Sequence, residues 1–176
     1  MPTANASLLT NAMDAFWSYL EGKTDFTSLG LQIFKGYDGN VLPVREDGSL
    51  EASDLPAMYV ESITPNPLET DTTPDEEIIH IEMEGGVVYD NTTFHTANSS
   101  VDCAAALMTL SDVILSRHSL DTNLGTGSGG AVDGLAWEVL GMDPVRSGAN
   151  PRDVLYWDGQ FKLTLEVSRT LPANTT

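Results

Sequence analysis

The chain has 176 residues, of which 41% are hydrophobic, so it can bury one core and is not expected to be disordered throughout. It carries 26 acidic and 8 basic residues, and a formal net charge of −18 argues against nucleic-acid binding, because phosphate neutralisation needs clustered Lys and Arg. The acidic excess therefore has two explanations, a surface that avoids nucleic acid and adaptation to a saline habitat, and both stay open.

The cysteine content and the length of the apolar runs argue against a protein held together by intramolecular disulfides and against a membrane-spanning protein. Cys103 has no second cysteine with which to form an intramolecular disulfide, and its small apolar neighbours predict a buried, inert thiol. The first ten residues contain no signal-like segment, and no run reaches the ~18 apolar residues of a membrane span. The sequence therefore predicts a protein that is made and used in solution in a cytoplasm, without a membrane partner.

Helical spacing predicts a first helix over residues 7–21. Its apolar positions recur four residues apart and form a stripe that can lie on a sheet, comprising Leu8, Ala12, Phe16 and Leu20. Ser7 is the predicted N-cap and Gly22 the predicted C-cap. Residues 1–6 are expected to form a short flexible arm.

Two strand-like segments follow this helix. The first, 31–37, ends at Asp38-Gly39, a dipeptide that is typical of turns. The second, 57–63, begins directly after Pro56, and a proline is tolerated at the start of a strand because no ladder hydrogen bond is lost there. The connection between them is expected to be a loop with a second turn at Asp47-Gly48.

A third strand is predicted over residues 77–84. Its apolar residues Ile79, Ile81 and Met83 alternate with polar ones, which indicates an antiparallel sheet with a single buried face. Residues 64–74, with three prolines and several threonines, are expected to form an exposed connection before it.

The second helix is predicted to start at Ser99 or Ser100 and to run to about His118. Apolar residues surround most of its circumference, so we expect burial on more than one side, by the sheet and by another helix or subunit. The glycine-rich run 125–130 that follows is expected to be a flexible loop.

The C-terminal part predicts further strands at 132–140, 154–157 and 160–167. Asp158-Gly159 is expected to turn the chain directly into the last strand, whose alternating residues Phe161, Leu163, Leu165 and Val167 face the core. Residues 172–176 are expected to be a short flexible terminus. The whole pattern predicts an α+β fold, in which an antiparallel or mixed β-sheet packs against two α-helices in a single domain.

The sequence contains no recognisable catalytic, cofactor or metal-binding spacing. The glycine run lacks the Gly-Lys-Ser/Thr of a phosphate-binding loop, and the three histidines, His80, His95 and His118, fall in three different elements. The acidic segments lack the ligand spacing of a calcium loop, and no nucleophile elbow is present. We therefore expect no catalytic residue, no cofactor and no resident metal, and a protein that is not an enzyme.

The acidic residues are distributed unevenly. Residues 38–90 contain fourteen acids and the single base Arg45. One interpretation is a solvated face that keeps the protein soluble, and the other is a surface that lies close to a polyanion without binding it.

The order of the predicted elements resembles the tail-terminator (tail-completion) proteins of long-tailed bacteriophages. The resemblance covers nearly the whole chain and rests on the N-terminal helix, three strands, a long apolar helix and a closing hairpin with the sequence Trp157-Asp158-Gly159-Gln160-Phe161-Lys162-Leu163-Thr164-Leu165-Glu166-Val167. The long acidic connections 38–55 and 64–75 depart from the family pattern.

The resemblance implies a virion protein that is assembled in the host cytoplasm and forms a hexameric ring on the last ring of tail-tube subunits. Such a ring stops tube growth, presents a docking face to the head connector or stopper protein, and lets DNA pass through its lumen without stable binding. The residues assigned on this basis are Asp71, Asp75, Glu76 and Glu77 as lumen-facing acids, and Lys162, Glu166 and Asp112 as contacts to neighbouring subunits or to the tube. Two alternatives are a head–tail connector, stopper or other neck subunit, and a small ligand-binding or hydrolytic α+β domain.

Overall fold

The computed structural model describes residues 4–46, 48, 50–67, 76–90, 99–115, 130–146 and 154–170. The helices are α1 (Ala4–Glu21), α2 (Thr24–Thr27) and α3 (Ser99–Leu115), and the strands are β1 (Gln32–Phe34), β2 (Ala57–Pro67), β3 (Glu76–Asp90), β4 (Gly130–Arg146) and β5 (Val154–Thr170). A single 3₁₀ turn, Ala52–Asp54, precedes β2. The predicted α+β class, with a mixed sheet and two long helices, is confirmed.

The five strands form one sheet in the order β1-β2-β3-β5-β4. β1 runs parallel to β2, and every other neighbouring pair is antiparallel. β5 lies between β3 and β4 and pairs with both over nearly its whole length. β3 is therefore the central strand, β5 lies between it and β4, and β4 forms one of the two edges of the sheet.

The main core lies between one face of the sheet and the helices. The predicted inward residues of α1 are all buried, as are Ile79, Ile81 and Met83 of β3 and the alternating apolar residues of β5. The predicted helix stripe and both alternation patterns are therefore confirmed. α1 begins at Ala4, three residues before the predicted N-cap Ser7, so the flexible arm predicted for residues 4–6 is wrong. Residues 1–3 and 172–176 lie outside the described residues.

The second face of the sheet is covered only in part. Phe34, Leu55, Ala57 and Val88 form a smaller buried cluster beneath the loop between β1 and β2. Elsewhere on this face, His80 and Glu82 of β3 are partly exposed, as the prediction of one wet face requires. That prediction is wrong at the Val88 end of the strand.

β2 and β3 are longer than their predicted segments. β2 continues through Pro65 to Pro67, so residues 64–67 belong to the sheet and not to the predicted connection. β1 pairs only with residues 57–59, and the described residues include no other partner for the outer edge of β2. The prolines therefore cost no hydrogen bond on that side. β3 likewise continues through Gly85-Gly86 to Asp90.

The turn predicted at Asp158-Gly159 does not exist, because β5 is continuous there. Gly159 lies opposite Val87 of β3 and Met142 of β4. A Cβ atom on Gly159 would stand 2.7 Å from Leu107 Cδ1 and 2.9 Å from Cys103 Sγ. The glycine is thus required by the close approach of α3 to the sheet. The hairpin partner of β5 is the whole of β4, which runs to Arg146 instead of ending at residue 140.

α3 packs on β3, β4 and β5 and also contacts the short helix α2. Burial by the sheet and by another helix is therefore confirmed, and Val101, Met108 and Leu115 on the outward face of α3 are exposed. Residues 116–118 of the predicted helix and residues 125–129 of the predicted glycine loop lie outside the described part of the chain, and Gly130 is the first residue of β4.

Candidate interaction surfaces

The acids predicted to face a lumen fall at the start of β3 or before it. Glu76 and Glu77 are its first two residues, and their backbones lie opposite Thr170 and Arg169 of β5. Their side chains, and the whole of Asp71 and Asp75, lie outside what the structure describes. The lumen assignment therefore remains a prediction.

Two of the three predicted contact residues have polar partners inside the subunit, Lys162 in a salt bridge and Glu166 in a hydrogen bond with His80. On the open face of the sheet, Lys162 Nζ lies 3.3 Å from Glu82 Oε1, and Glu166 Oε2 lies 3.0 Å from His80 Nε2. Both pairs join β5 to β3 and are partly exposed, so each contributes at most ~1 kcal/mol. Lys162 and Glu166 thus lie on one face of β5, and each has its own partner across the sheet on β3.

The third predicted contact residue, Asp112, lies on α3 and lines a groove of about 720 Å³ between this helix and the α1–α2 turn. The Tyr19 hydroxyl donates a hydrogen bond to the Val113 carbonyl at 2.9 Å and holds the two helices together. Lys23 Nζ sits 4.7 Å from the centroid of the Tyr19 ring, and Asp25 also lines the groove. No local spacing in the sequence marks this groove, because tertiary contacts create it.

Among the residues that the structure describes, three groups of large apolar side chains are exposed. The edge patch consists of Val139 and Leu140 on β4, and the loop patch consists of Val41 and Val44 in the loop after β1. The third group lies on the outward face of α3. Sequence reasoning indicated the α3 group through the apolar circumference of the helix, but it missed the other two.

The edge patch arises from an irregularity in the pairing of β4 with β5. The register shifts between Val139 and Gly141, so Leu140 has no direct partner in β5. On the covered face, Trp137 stacks on Phe161 with ring centroids 4.6 Å apart. Two adjacent apolar residues, Val139 and Leu140, break the strand alternation, and this break is the sequence signal for the bulge.

Two half-buried polar side chains, Tyr59 of β2 and Asp158 of β5, meet over β3 near the smaller buried cluster. The Tyr59 hydroxyl lies 3.1 Å from both carboxylate oxygens of Asp158. Burial raises the pKa of Asp158, although hydrogen bonds from Tyr59 and Gln160 oppose the rise. A Cβ atom on Gly86 would stand 2.6 Å from both Asp158 Oδ1 and the Tyr59 hydroxyl, so this glycine leaves space for the pair.

Cys103 is fully buried, as predicted, and its thiol donates to the Val87 carbonyl at 3.4 Å. Burial raises the pKa of this thiol to about 12, so the reactive thiolate is scarce at neutral pH. Within the described ranges, no group of three or more His, Cys, Asp or Glu side chains is arranged to hold a metal ion.

No known protein family matches the chain, and no curated protein matches it. The likeness to tail terminators therefore rests on the order of the helices and strands. None of the described helices is long and apolar enough to cross a membrane.

Proposed function

We propose that the protein is a virion assembly subunit that forms a ring on the end of a phage tail tube. The ring ends tube growth, provides the docking face for the head and lets DNA pass through its lumen. The observation that carries this proposal is the presence of two unlike exposed apolar surfaces, the edge patch on β4 and the loop patch after β1.

Two unlike surfaces suit a ring because its contacts are heterologous. In such a contact, one surface of each subunit binds a different surface of the next, and the series closes when the rotation between neighbours divides a full circle. β4 and β1 are the two edges of the same sheet, and the loop patch belongs to the loop that follows β1. This separation supports head-to-tail association.

The irregularity of β4 favours limited assembly over indefinite strand addition. Its register against β5 shifts at three places, between Gly134 and Ala136, between Val139 and Gly141, and between Val145 and Arg146. Bulges of this kind interrupt the regular hydrogen-bonding edge on which fibres grow. Subunits are therefore expected to join through side chains such as Leu140.

The charges support transit of DNA without stable binding. Three of the basic side chains are already paired with carboxylates, through Lys35–Glu21, Arg45–Glu51 and Lys162–Glu82. With a net charge of −18 per subunit, a ring repels phosphates over about one Debye length, ~8 Å at physiological salt.

The direct test mixes the purified protein with its own tail tubes and examines them by negative-stain microscopy. We expect a ring at one end of each tube and no further growth at that end when tube subunits are added. Leu140→Asp should abolish the rings, whereas Ala136→Asp adds the same charge at an exposed position of the same strand and should retain them.

Two results would overturn the proposal. Rings that bind the head connector or portal and never the tube would assign the protein to the neck, the second function that the resemblance left open. Tubes that keep growing at both ends in the presence of excess folded protein would exclude a terminator.

A further inference from the structure

The outward face of α3 carries an apolar stripe that is interrupted by the exposed Asp112, and we call it the α3 stripe. It contains Val101, Ala105, Met108 and Leu115, and the three large side chains are 60%, 68% and 46% exposed, respectively. Residues seven apart lie on nearly the same face of an α-helix, because two turns take 7.2 residues. The stripe therefore runs along almost the whole helix.

The stripe is symmetric about Met108. Val101 and Leu115 stand seven residues before and after it, and the small residues Ala105 and Ser111 stand three residues on either side. We propose that the α3 stripe docks on the same stripe of a second copy of this chain, with the two helices antiparallel and Met108 at the two-fold axis.

A two-fold contact joins a surface to the same surface of the second copy, so that residue i of one copy meets residue j of the other, and j meets i. Around Met108, Val101 of each copy meets Leu115 of the other, so a large apolar residue faces another at each end. Small residues in between allow the two helices to approach closely.

The charges near the stripe are compatible with this arrangement. Asp112 is the one acid on the stripe side of the helix, and the same symmetry places it opposite Ala104 of the second copy instead of opposite its own counterpart. Antiparallel helices also bring the partial positive charge of each N-terminus beside the partial negative charge of the other C-terminus.

The size of the contact and the net charge determine its strength. α3 has 17 residues and is about 25 Å long, so a contact made by one helix buries less than the ~1,200 Å² typical of stable interfaces. Two copies of charge −18 also repel each other. We therefore expect a weak dimer that forms at high protein concentration and strengthens as salt is added.

The geometry is tested by disulfide trapping in the full chain. Met108→Cys should form a covalent dimer on oxidation with diamide, since two cysteines at the axis can come within bonding range. Val101→Cys alone and Leu115→Cys alone should form little dimer, whereas an equimolar mixture of the two should form the mixed dimer. The unmodified chain is the first control because its buried Cys103 should not react, and Ala136→Cys on β4 controls for random collision.

Three outcomes would overturn the proposal. Met108→Cys could cross-link no more than Ala136→Cys. Val101→Cys could cross-link with itself as well as Met108→Cys does, which would indicate a parallel or head-to-tail contact. The Met108→Cys thiol could also resist maleimide in the monomer, which would show that another part of this chain, such as residues 116–129, covers the stripe.

Sedimentation of the unmodified chain at increasing protein and NaCl concentrations tests the dimer independently. Met108→Asp should remain monomeric under conditions where Met108→Leu still dimerises, and circular dichroism should show both variants folded. The dimer does not rest on the proposed ring. A protein that dimerises through α3 but never caps a tube would refute the ring alone, and a ring-forming protein without trapped Met108 dimers would refute the dimer alone.

Discussion

At the scale of single residues, two glycines explain how neighbouring layers approach each other. Gly159 lets α3 approach β5, and Gly86 lets the Tyr59 side chain pass over β3 to reach Asp158. Neither position is marked as special in the sequence. A glycine after an aspartate instead suggests a turn, and only the tertiary contact with Leu107 and Cys103 shows why Gly159 is needed.

Gly159→Ala is expected to destabilise the protein by about 1–3 kcal/mol, the usual cost of overpacking a core. The added methyl would stand 2.7 Å from Leu107 Cδ1 and 2.9 Å from Cys103 Sγ. The free energy of unfolding, measured with urea, checks this expectation. Gly141→Ala on β4 is the matched control, because a Cβ there meets nothing within 4 Å. Equal losses in the free energy of unfolding for the two substitutions would show that α3 does not pack closely against Gly159.

Asp158→Asn is expected to stabilise the protein at pH 7. Burial raises the pKa of Asp158 above the ordinary 3.8, and the nearby carboxylates of Asp143 and Glu61 act in the same direction. The folded protein therefore binds this proton more tightly than the unfolded chain, and wild-type stability falls as pH rises through the raised pKa. Asn removes this loss and can still accept from the Tyr59 hydroxyl.

Urea unfolding of wild type and Asp158→Asn between pH 3.5 and 7 measures the difference. The advantage of the variant should be largest at pH 7 and should shrink as pH falls through the raised pKa, because below the ordinary pKa of 3.8 the wild-type carboxyl becomes protonated in both states. A difference that does not change with pH would mean that the Asp158 carboxylate carries no burial cost.

At the scale of elements, local periodicity predicted the buried faces, and tertiary contacts determined where the strands end. The i, i+4 spacing of α1 and the alternation of β3 and β5 were sufficient to assign inward residues such as Phe16, Ile81 and Leu163. The predictions made from prolines and glycines were partly wrong, because the rules for these residues consider only the neighbouring sequence. Pro65 is tolerated at an edge of β2 for which the described residues provide no partner, and Gly159 is a packing site, and both facts depend on which element lies alongside.

The candidate surfaces were predictable to different degrees for the same reason. The apolar circumference of α3 indicated a face available to another helix or subunit, and that face carries the α3 stripe. The partners of Lys162 and Glu166 depend on the register between β3 and β5, and the sequence does not specify that register. The groove beside Asp112 depends on how α1, α2 and α3 come together.

The pairing of β3 with β5 supplies an element-scale prediction for Lys162. In a double-mutant cycle with Lys162→Met and Glu82→Gln, the coupling energy should lie between about 0.2 and 1 kcal/mol and should decrease in high salt, as for other partly exposed pairs. If Lys162 also contacts a neighbouring subunit or the tube, Lys162→Met should reduce ring formation far more than Glu82→Gln. Equal effects of the two substitutions on ring formation would limit Lys162 to its role within the subunit.

At the scale of the whole molecule, packing of the core does not account for the net charge of −18. Within the described residues, the acidic side chains form two groups that differ in their physical consequences. Carboxylates paired with Lys35, Arg45 and Lys162 neutralise bases, whereas exposed acids such as Glu84 and Asp102 leave the surface negative. Only an experiment that moves charge to one chosen place can separate solubility from repulsion of DNA.

Replacing the four acids assigned to the lumen by lysine tests the role of this charge. The substitutions are Asp71→Lys, Asp75→Lys, Glu76→Lys and Glu77→Lys, which together change the formal charge from −18 to −10, since each adds two units. If these side chains face the lumen they are exposed, and exposed substitutions usually shift stability by about 0.5 kcal/mol or less, so the variant should fold and particles should assemble. Lysines that face the lumen would attract phosphates, and the particles should then retain or eject DNA abnormally.

The defect should become weaker in high salt, because attraction between lysine and phosphate is screened. The matched control makes the same change of charge at exposed positions elsewhere, with Asp25→Lys, Glu84→Lys, Asp102→Lys and Glu138→Lys. Ejection assays at several NaCl concentrations compare the two sets. If both variants gave fully infectious particles, the acidic stretch that leads into the start of β3 would be a solvated outer face. If both failed equally, total charge and not its position would govern passage of DNA.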